Sequence, residues 1–188
     1  MRSESFPEDT PTPDLALPIH AATTFVLVRP HYPENVGAAA RAIKTMGFLS
    51  LALVKPGRLA SPTHEMALKM AVKSKDVLLN APLCESLDEA VAGVDWVVGT
   101  TSRRGVSGVL TARDFGRRAV DAAARGERIA LVFGNEKTGL GEAERALARD
   151  FVRIPMAADQ PSINLAQATQ LLAYELLLAA LDLRAESR

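Results

Sequence analysis

From residue 24 onward, short β-branched apolar runs alternate with longer stretches in which apolar positions recur every three or four residues. That alternation predicts strands and helices in turn, which is the mark of a mostly parallel sheet with helices on both faces. The predicted strands are Thr24 to Val28, Leu49 to Val54, Asp95 to Thr100, Arg128 to Phe133 and Phe151 to Met156, with Val77 to Leu79 as a weaker sixth. A helix is predicted from about Asn35 to Met46, with Val36, Ala39, Ala40, Ile43 and Met46 on one face, Glu34 or Asn35 as cap and Gly47 as its end. Further helices are expected at Thr63 to Lys73, Ser86 to Ala92, Ala112 to Arg125 and Glu142 to Ala148.

The last helix, Asn164 to Leu183, carries two apolar stripes. One runs Leu165, Leu172, Leu176, Ala179 and Leu183; the other runs Leu171, Tyr174, Leu178 and Leu181. Such a helix needs two partners, either a second subunit beside its own sheet or two layers of one monomer.

The first 22 residues hold four prolines and many polar groups with no apolar core of a signal peptide, so they read as a loose, disordered tail ahead of one domain over residues 23–188. At 188 residues the chain suits a single core that buries roughly 70% of its unfolded surface. No apolar run approaches bilayer length, and the one cysteine, Cys84, excludes an intrachain disulfide framework. These features suggest a soluble protein of a reducing cytoplasm. Lys and Arg balance Asp and Glu at 22 each, so any nucleic-acid contact must come from a local patch. Three scattered histidines offer no metal-ligand spacing, and no metal is expected.

Three segments sit where an α/β sheet holds its ligands, at the carboxyl ends of strands. Arg29 to Phe48 leads from a strand into a helix; Asn35 there reads as a cap and Arg41 as a solvated surface residue on spacing alone. Leu131 to Gly141 ends a buried strand in a Gly-rich turn, where Lys137 and Thr138 precede Gly139 instead of following it as a P-loop requires. Ile154 to Thr169 joins a Met-containing strand end to a loop long enough to wrap a flat ring; its Ser162 and Asn164 are ordinary helix-capping types.

Together the three segments resemble the signature motifs of SPOUT-class RNA methyltransferases of the TrmH/TrmJ type, most closely the TrmJ-type tRNA enzymes. The matching residues are Asn35, Gly37 and Arg41; then Phe133, Gly134, Glu136, Gly139 and Leu140; then Ile154, Pro155, Ser162, Asn164 and Leu165. The likeness runs from residue 24 to about 183. It implies a C-terminal trefoil knot, a homodimer, and S-adenosylmethionine as methyl donor to a ribose 2′-hydroxyl. The RNA would be tRNA, with ribosomal RNA or a silent RNA-binding dimer as alternatives.

By the same likeness the cofactor would touch Thr100, Thr101, Ser102, Gly134, Ile154, Met156, Pro161, Ser162, Ile163 and Leu165. Arg41 would be central to catalysis, with Asn35, Ser162 and Asn164 orienting the ribose and Glu136 fixing the loop or Arg41. A guanidinium is a poor proton acceptor, which favours Arg41 as stabiliser of the forming alkoxide over Arg41 as base. RNA contacts are expected from Arg29, Arg41, Arg103 and Arg104, while the arginines at 113, 117 and 118 read as a solvated helix face. Position 135 is Asn, where TrmJ-type relatives often carry Arg and others Ser.

Overall fold

A computed structural model describes residues 15–103, 105–158 and 160–186. The helices are α1 (Pro18–Ala22), α2 (Pro33–Thr45), α3 (Glu65–Ala71), α4 (Lys75–Leu79), α5 (Leu87–Ala90), α6 (Ala112–Ala124), α7 (Glu142–Leu147) and α8 (Leu165–Glu186). The strands are β1 (Thr23–Val28), β2 (Leu51–Val54), β3 (Leu83–Cys84), β4 (Trp96–Thr100), β5 (Val109–Thr111), β6 (Ile129–Phe133) and β7 (Asp150–Arg153). They form one sheet in the order β3-β2-β1-β6-β4-β7-β5, and every pairing is parallel. β6 is inserted between β1 and β4, and β7 between β4 and β5, so both late strands enter gaps between earlier ones.

Strand side chains alternate between two buried layers, as the twofold repeat of a strand requires. Phe25, Leu27, Leu51, Leu53, Ile129, Leu131 and Phe133 face the larger core under α2, α6 and α8. Val26, Val28, Ala52, Val54, Ala130 and Val132 face a thinner layer with residues of α5 and α7. Helices therefore cover both faces, as the pattern predicts.

The expected strand at Val77 to Leu79 is instead the end of α4, and the short strand of that region is β3. A three-residue apolar run has no period of its own, so Val77 and Leu78 bury equally well from one turn of helix. Within the span expected as tail, residues 18–22 form α1. α1 buries Ile19 and turns His20 edge-on to Phe48, while residues 1–14 lie outside the described residues. Burial lowers the pKa of His20, which favours the neutral ring.

α8 packs against α2 and α6 through Leu165, Thr169, Leu172, Ala173, Leu176 and Ala180. Its first stripe is therefore the core face, except that Leu183 is exposed and Ala180 takes the place assigned to Ala179. Leu171, Tyr174 and Leu181 of the second stripe stay exposed.

The glycine of the first motif has a packing role. A Cβ at Gly37 would stand 2.0 Å from the Ala67 carbonyl oxygen, so α2 and α3 touch backbone to backbone. Gly37→Ala is expected to cost about 1–3 kcal/mol by prising α3 away. Urea denaturation measures this; an unchanged midpoint would mean that α3 yields freely.

Candidate active site

The carboxyl ends of β4, β6 and β7 open onto a cleft of about 420 Å³. Its walls come from the β4 exit (Thr100 to Arg103), the β6 turn (Phe133 to Leu140) and the segment from β7 to α8. Phe151, Ile154, Leu165 and Leu172 supply apolar surface, and Thr100, Thr101 and Ser162 add hydroxyls at the edge. All ten residues that the resemblance assigns to the cofactor line this one cleft. The volume is that of a small-ligand site.

The Gly-rich turn is shaped by its own backbone. A Cβ on Gly134 would lie 2.3 Å from both the Gly139 carbonyl carbon and the Leu140 nitrogen, so the turn folds flat on itself there. Asn135 organises the rest. Its side-chain oxygen accepts from the amides of Lys137 (2.9 Å) and Thr138 (3.2 Å), and its Nδ2 donates to the Arg29 carbonyl at 2.6 Å. The departure at position 135 is thus a clamp between the β6 turn and the β1 exit, made by an amide that offers both a donor and an acceptor.

Asn35, Glu136 and Asn164, one from each segment, form a single hydrogen-bonded chain. Asn35 Nδ2 donates to Glu136 Oε1 at 2.9 Å, and Asn164 Nδ2 donates to Asn35 Oδ1, also at 2.9 Å. Glu136 also accepts from the amides of His31 (2.9 Å) and Tyr32 (3.4 Å), the residues just ahead of α2. Asn164 Oδ1 accepts from the amides of Ala166 and Gln167, which caps α8. The carboxylate lies at the positive end of α2 and the network leaves none of these polar groups idle. Glu136 therefore fixes the loop and not Arg41; Asn35 and Asn164 brace the cleft without lining it, while Ser162 lines it directly.

The arginines separate into distinct groups. Arg29 has a left-handed backbone (φ 49°) and its part-exposed side chain pairs with Glu144 of α7 through both carboxylate oxygens. Burial would raise the pKa of Glu144, but the hydrogen bond and charge of Arg29 hold it below the ordinary carboxylate value. Arg103 lines the cleft mouth, and Arg104 lies outside the described residues. Arg41 is exposed on α2, is not among the cleft residues, and forms no ion pair or hydrogen bond through its guanidinium among the described residues.

Arg113 pairs with Glu175 (3.4 Å) and Arg118 with Asp150 (3.5 Å), in keeping with a surface helix. Sequence reasoning missed Lys137 and Arg145 as lining residues. Arg145 donates to the Leu140 carbonyl at 3.0 Å, a tertiary contact with no local signal. Among the described residues no cluster of His, Cys, Asp or Glu could hold a metal, and no helix is long and apolar enough to cross a membrane.

The SpoU rRNA methylase family model matches residues 22–174. The chain belongs to that family. This SpoU-family chain is 40% identical over 159 residues to the tRNA (cytidine/uridine-2′-O-)-methyltransferase TrmJ of Pectobacterium atrosepticum, covering 84% of the chain and 64% of the relative. The TrmJ of Yersinia enterocolitica is also 40% identical over 159 residues, with 84% and 60% covered. The chain thus spans about three fifths of the length of these relatives.

Among solved structures, a probable methyltransferase from Bordetella pertussis Tohama I aligns with TM-score 0.82 and 34% identity over 86% of this chain and 98% of that one. TrmJ from Z. mobilis ZM4 aligns with TM-score 0.74 and 32% identity over 84% and 69%. These likenesses bear out the SPOUT α/β fold and the TrmJ-type resemblance read from the motifs.

Proposed function

We propose that this SpoU-family domain transfers a methyl group from S-adenosylmethionine to a ribose 2′-hydroxyl of tRNA. The observation that carries the reading is the single cleft into which all ten expected cofactor residues converge. Its chemistry suits the cofactor: apolar walls for a flat purine, hydroxyls and backbone groups at its edges, and Arg103 and Lys137 at the mouth for a carboxylate or phosphate. When bound, the cofactor supplies an electrophilic methyl on a sulfonium. The chain supplies orientation, which is worth on the order of 7–11 kcal/mol when reacting atoms are held in line. Ser162 borders the ribose, and the Asn35–Glu136–Asn164 chain keeps the walls of the cleft in register. The tRNA assignment follows the tRNA 2′-O-methyltransferase activity of the TrmJ relatives.

The domain acts as a homodimer in this reading. Leu171, Tyr174 and Leu181, with the half-buried Leu178, fall on one face of α8, and a soluble chain rarely leaves such a face bare. A second copy also answers the position of Arg41. Arg41 is exposed and does not line the cleft of its own chain, and in this reading it reaches the cleft of the second copy, where it stabilises the forming alkoxide. The knot is part of the same reading, supported by the insertion of β7 between β4 and β5. A cytoplasmic location accords with an RNA substrate and with the single buried thiol, Cys84.

The test incubates the purified protein with total RNA and methyl-labelled cofactor, then identifies modified nucleosides by mass spectrometry. A 2′-O-methyl nucleoside in the tRNA fraction is expected. Label confined to ribosomal RNA would move the substrate, and label in no RNA, with cofactor unbound by calorimetry, would overturn the activity.

A further inference from the structure

The exit of β1 carries a group of side chains that the motifs do not include. Tyr32 is 43% exposed although it directly precedes α2. The His31 ring stands edge-on to it at 4.7 Å with planes 89° apart, and Lys137 Nζ lies 5.7 Å from its centroid. Lys137 Nζ is also 3.2 Å from His31 Nε2. The ammonium therefore meets an aromatic ring face and an imidazole nitrogen. No carboxylate pairs with Lys137 among the described residues, and that of its neighbour in sequence, Glu136, is engaged with the amides of His31 and Tyr32 and with Asn35. An exposed aromatic ring and an uncompensated cation are therefore fixed together beside the cleft, which Lys137 and Glu136 themselves line.

The neighbouring loop continues the positive charge. The amide of Gly57 donates to the Pro30 carbonyl at 3.0 Å, which fastens the exposed Lys55 and Arg58 next to the Tyr32 loop. In the sheet order β2-β1-β6, these cations and Lys137 lie on adjacent strand exits along one edge. Strands are about 4.8 Å apart, so the exits of β2 and β6 lie about 10 Å from each other.

We propose that Tyr32 and Lys137, braced by His31, form a docking site for an unpaired nucleotide next to the one methylated: the base stacks on Tyr32 and its phosphate meets Lys137. This rests on the RNA reading above. Stacking requires a base that is already splayed out, so the site selects single-stranded loops over duplex. The rigid loop matters here, because Glu136 holds the backbone of both aromatic residues before any RNA arrives.

The test measures fluorescence anisotropy of labelled unfractionated tRNA and of a labelled RNA duplex, with cofactor affinity by calorimetry in parallel. Tyr32→Ala is expected to weaken tRNA binding roughly 5- to 150-fold, the range for loss of one base–aromatic stack, and Tyr32→Phe to keep it. Lys137→Ala should weaken tRNA binding and flatten its salt dependence by about one counterion. Duplex affinity should fall with Lys137→Ala but not with Tyr32→Ala, and cofactor affinity should stay at the parent value in both Tyr32 variants. Parent-like tRNA binding by both alanine variants, with methyl transfer intact, would overturn this site and leave the activity standing. If the unsubstituted protein binds no RNA, the RNA reading fails, and this site with it.

Discussion

Dimers assembled from one Arg41→Ala chain and one Ser162→Trp chain are expected to transfer methyl groups, although neither variant does so as a homodimer. Ser162→Trp fills the mouth of the cleft from an exposed position and leaves Arg41 in place; Arg41→Ala keeps the cleft and removes the guanidinium. In the mixed dimer one intact cleft faces one intact Arg41 only if the two come from different subunits. Co-expression with two affinity tags isolates the mixed species, and random pairing gives about one quarter of the parent's active sites in the unsorted pool. Loss of one preorganised cation at a developing oxyanion typically costs about 100- to 1,000-fold in rate, so the recovered signal stands far above that of either homodimer. A silent mixed dimer would mean that Arg41 serves the cleft of its own chain, or no cleft at all.

The second large effect is at Asn35, which is 9% exposed and links two polar groups. Asn35→Ala removes one of the three hydrogen bonds to Glu136 and the acceptor of the Asn164 amide, at about 0.5–1.5 kcal/mol for each bond lost. Asn35→Asp is expected to be worse near neutral pH. It keeps the acceptor for Asn164 but sets a carboxylate where Nδ2 now meets Glu136 Oε1 at 2.9 Å. A carboxylate in the first turn of α2 gains about 0.3–1 kcal/mol from the helix dipole, and two like charges at contact outweigh that.

One member of the new pair would then hold its proton well above the usual carboxylate range in the folded state. A folded pKa raised above the unfolded one stabilises the fold below the unfolded value and loses that contribution as pH rises through the folded one. The stability deficit of Asn35→Asp should therefore shrink as pH falls from about 8 to about 5, while that of Asn35→Ala stays level. Thermal unfolding across that range reads both, and parallel curves would show that Asn35 and Glu136 are not coupled.

How much was legible in the sequence varied with the range of the interactions. The five long strands and α2 carry their own periodicity, and each forms within a few residues of its expected span. β3 and β5, with two and three residues, are too short to show alternation and owe their existence to neighbours in the sheet. Asn164 read correctly as a cap, yet its second bond, to Asn35, had no local sign. The same holds for Arg29, whose partner Glu144 lies 115 residues away, and so an arginine expected to meet RNA is held by α7. Tyr32 and Lys137 gave no signal because neither belongs to a periodic stripe or a motif. Only the fold brings them to one rim.

The hydrogen-bonded chain through Asn35, Glu136 and Asn164 also bears on the order of events as the protein is made. Its links close loops of 101 and 129 residues, and the second waits for the start of α8. A nascent chain can pair β1 with β2 early, since they follow each other directly. The cleft cannot be locked until the start of α8 has left the ribosome, because Asn164, which completes the chain of bonds, lies there. Folding should then show a slow closing phase carried by these long-range contacts, with ligand-binding competence arriving after the bulk of the secondary structure.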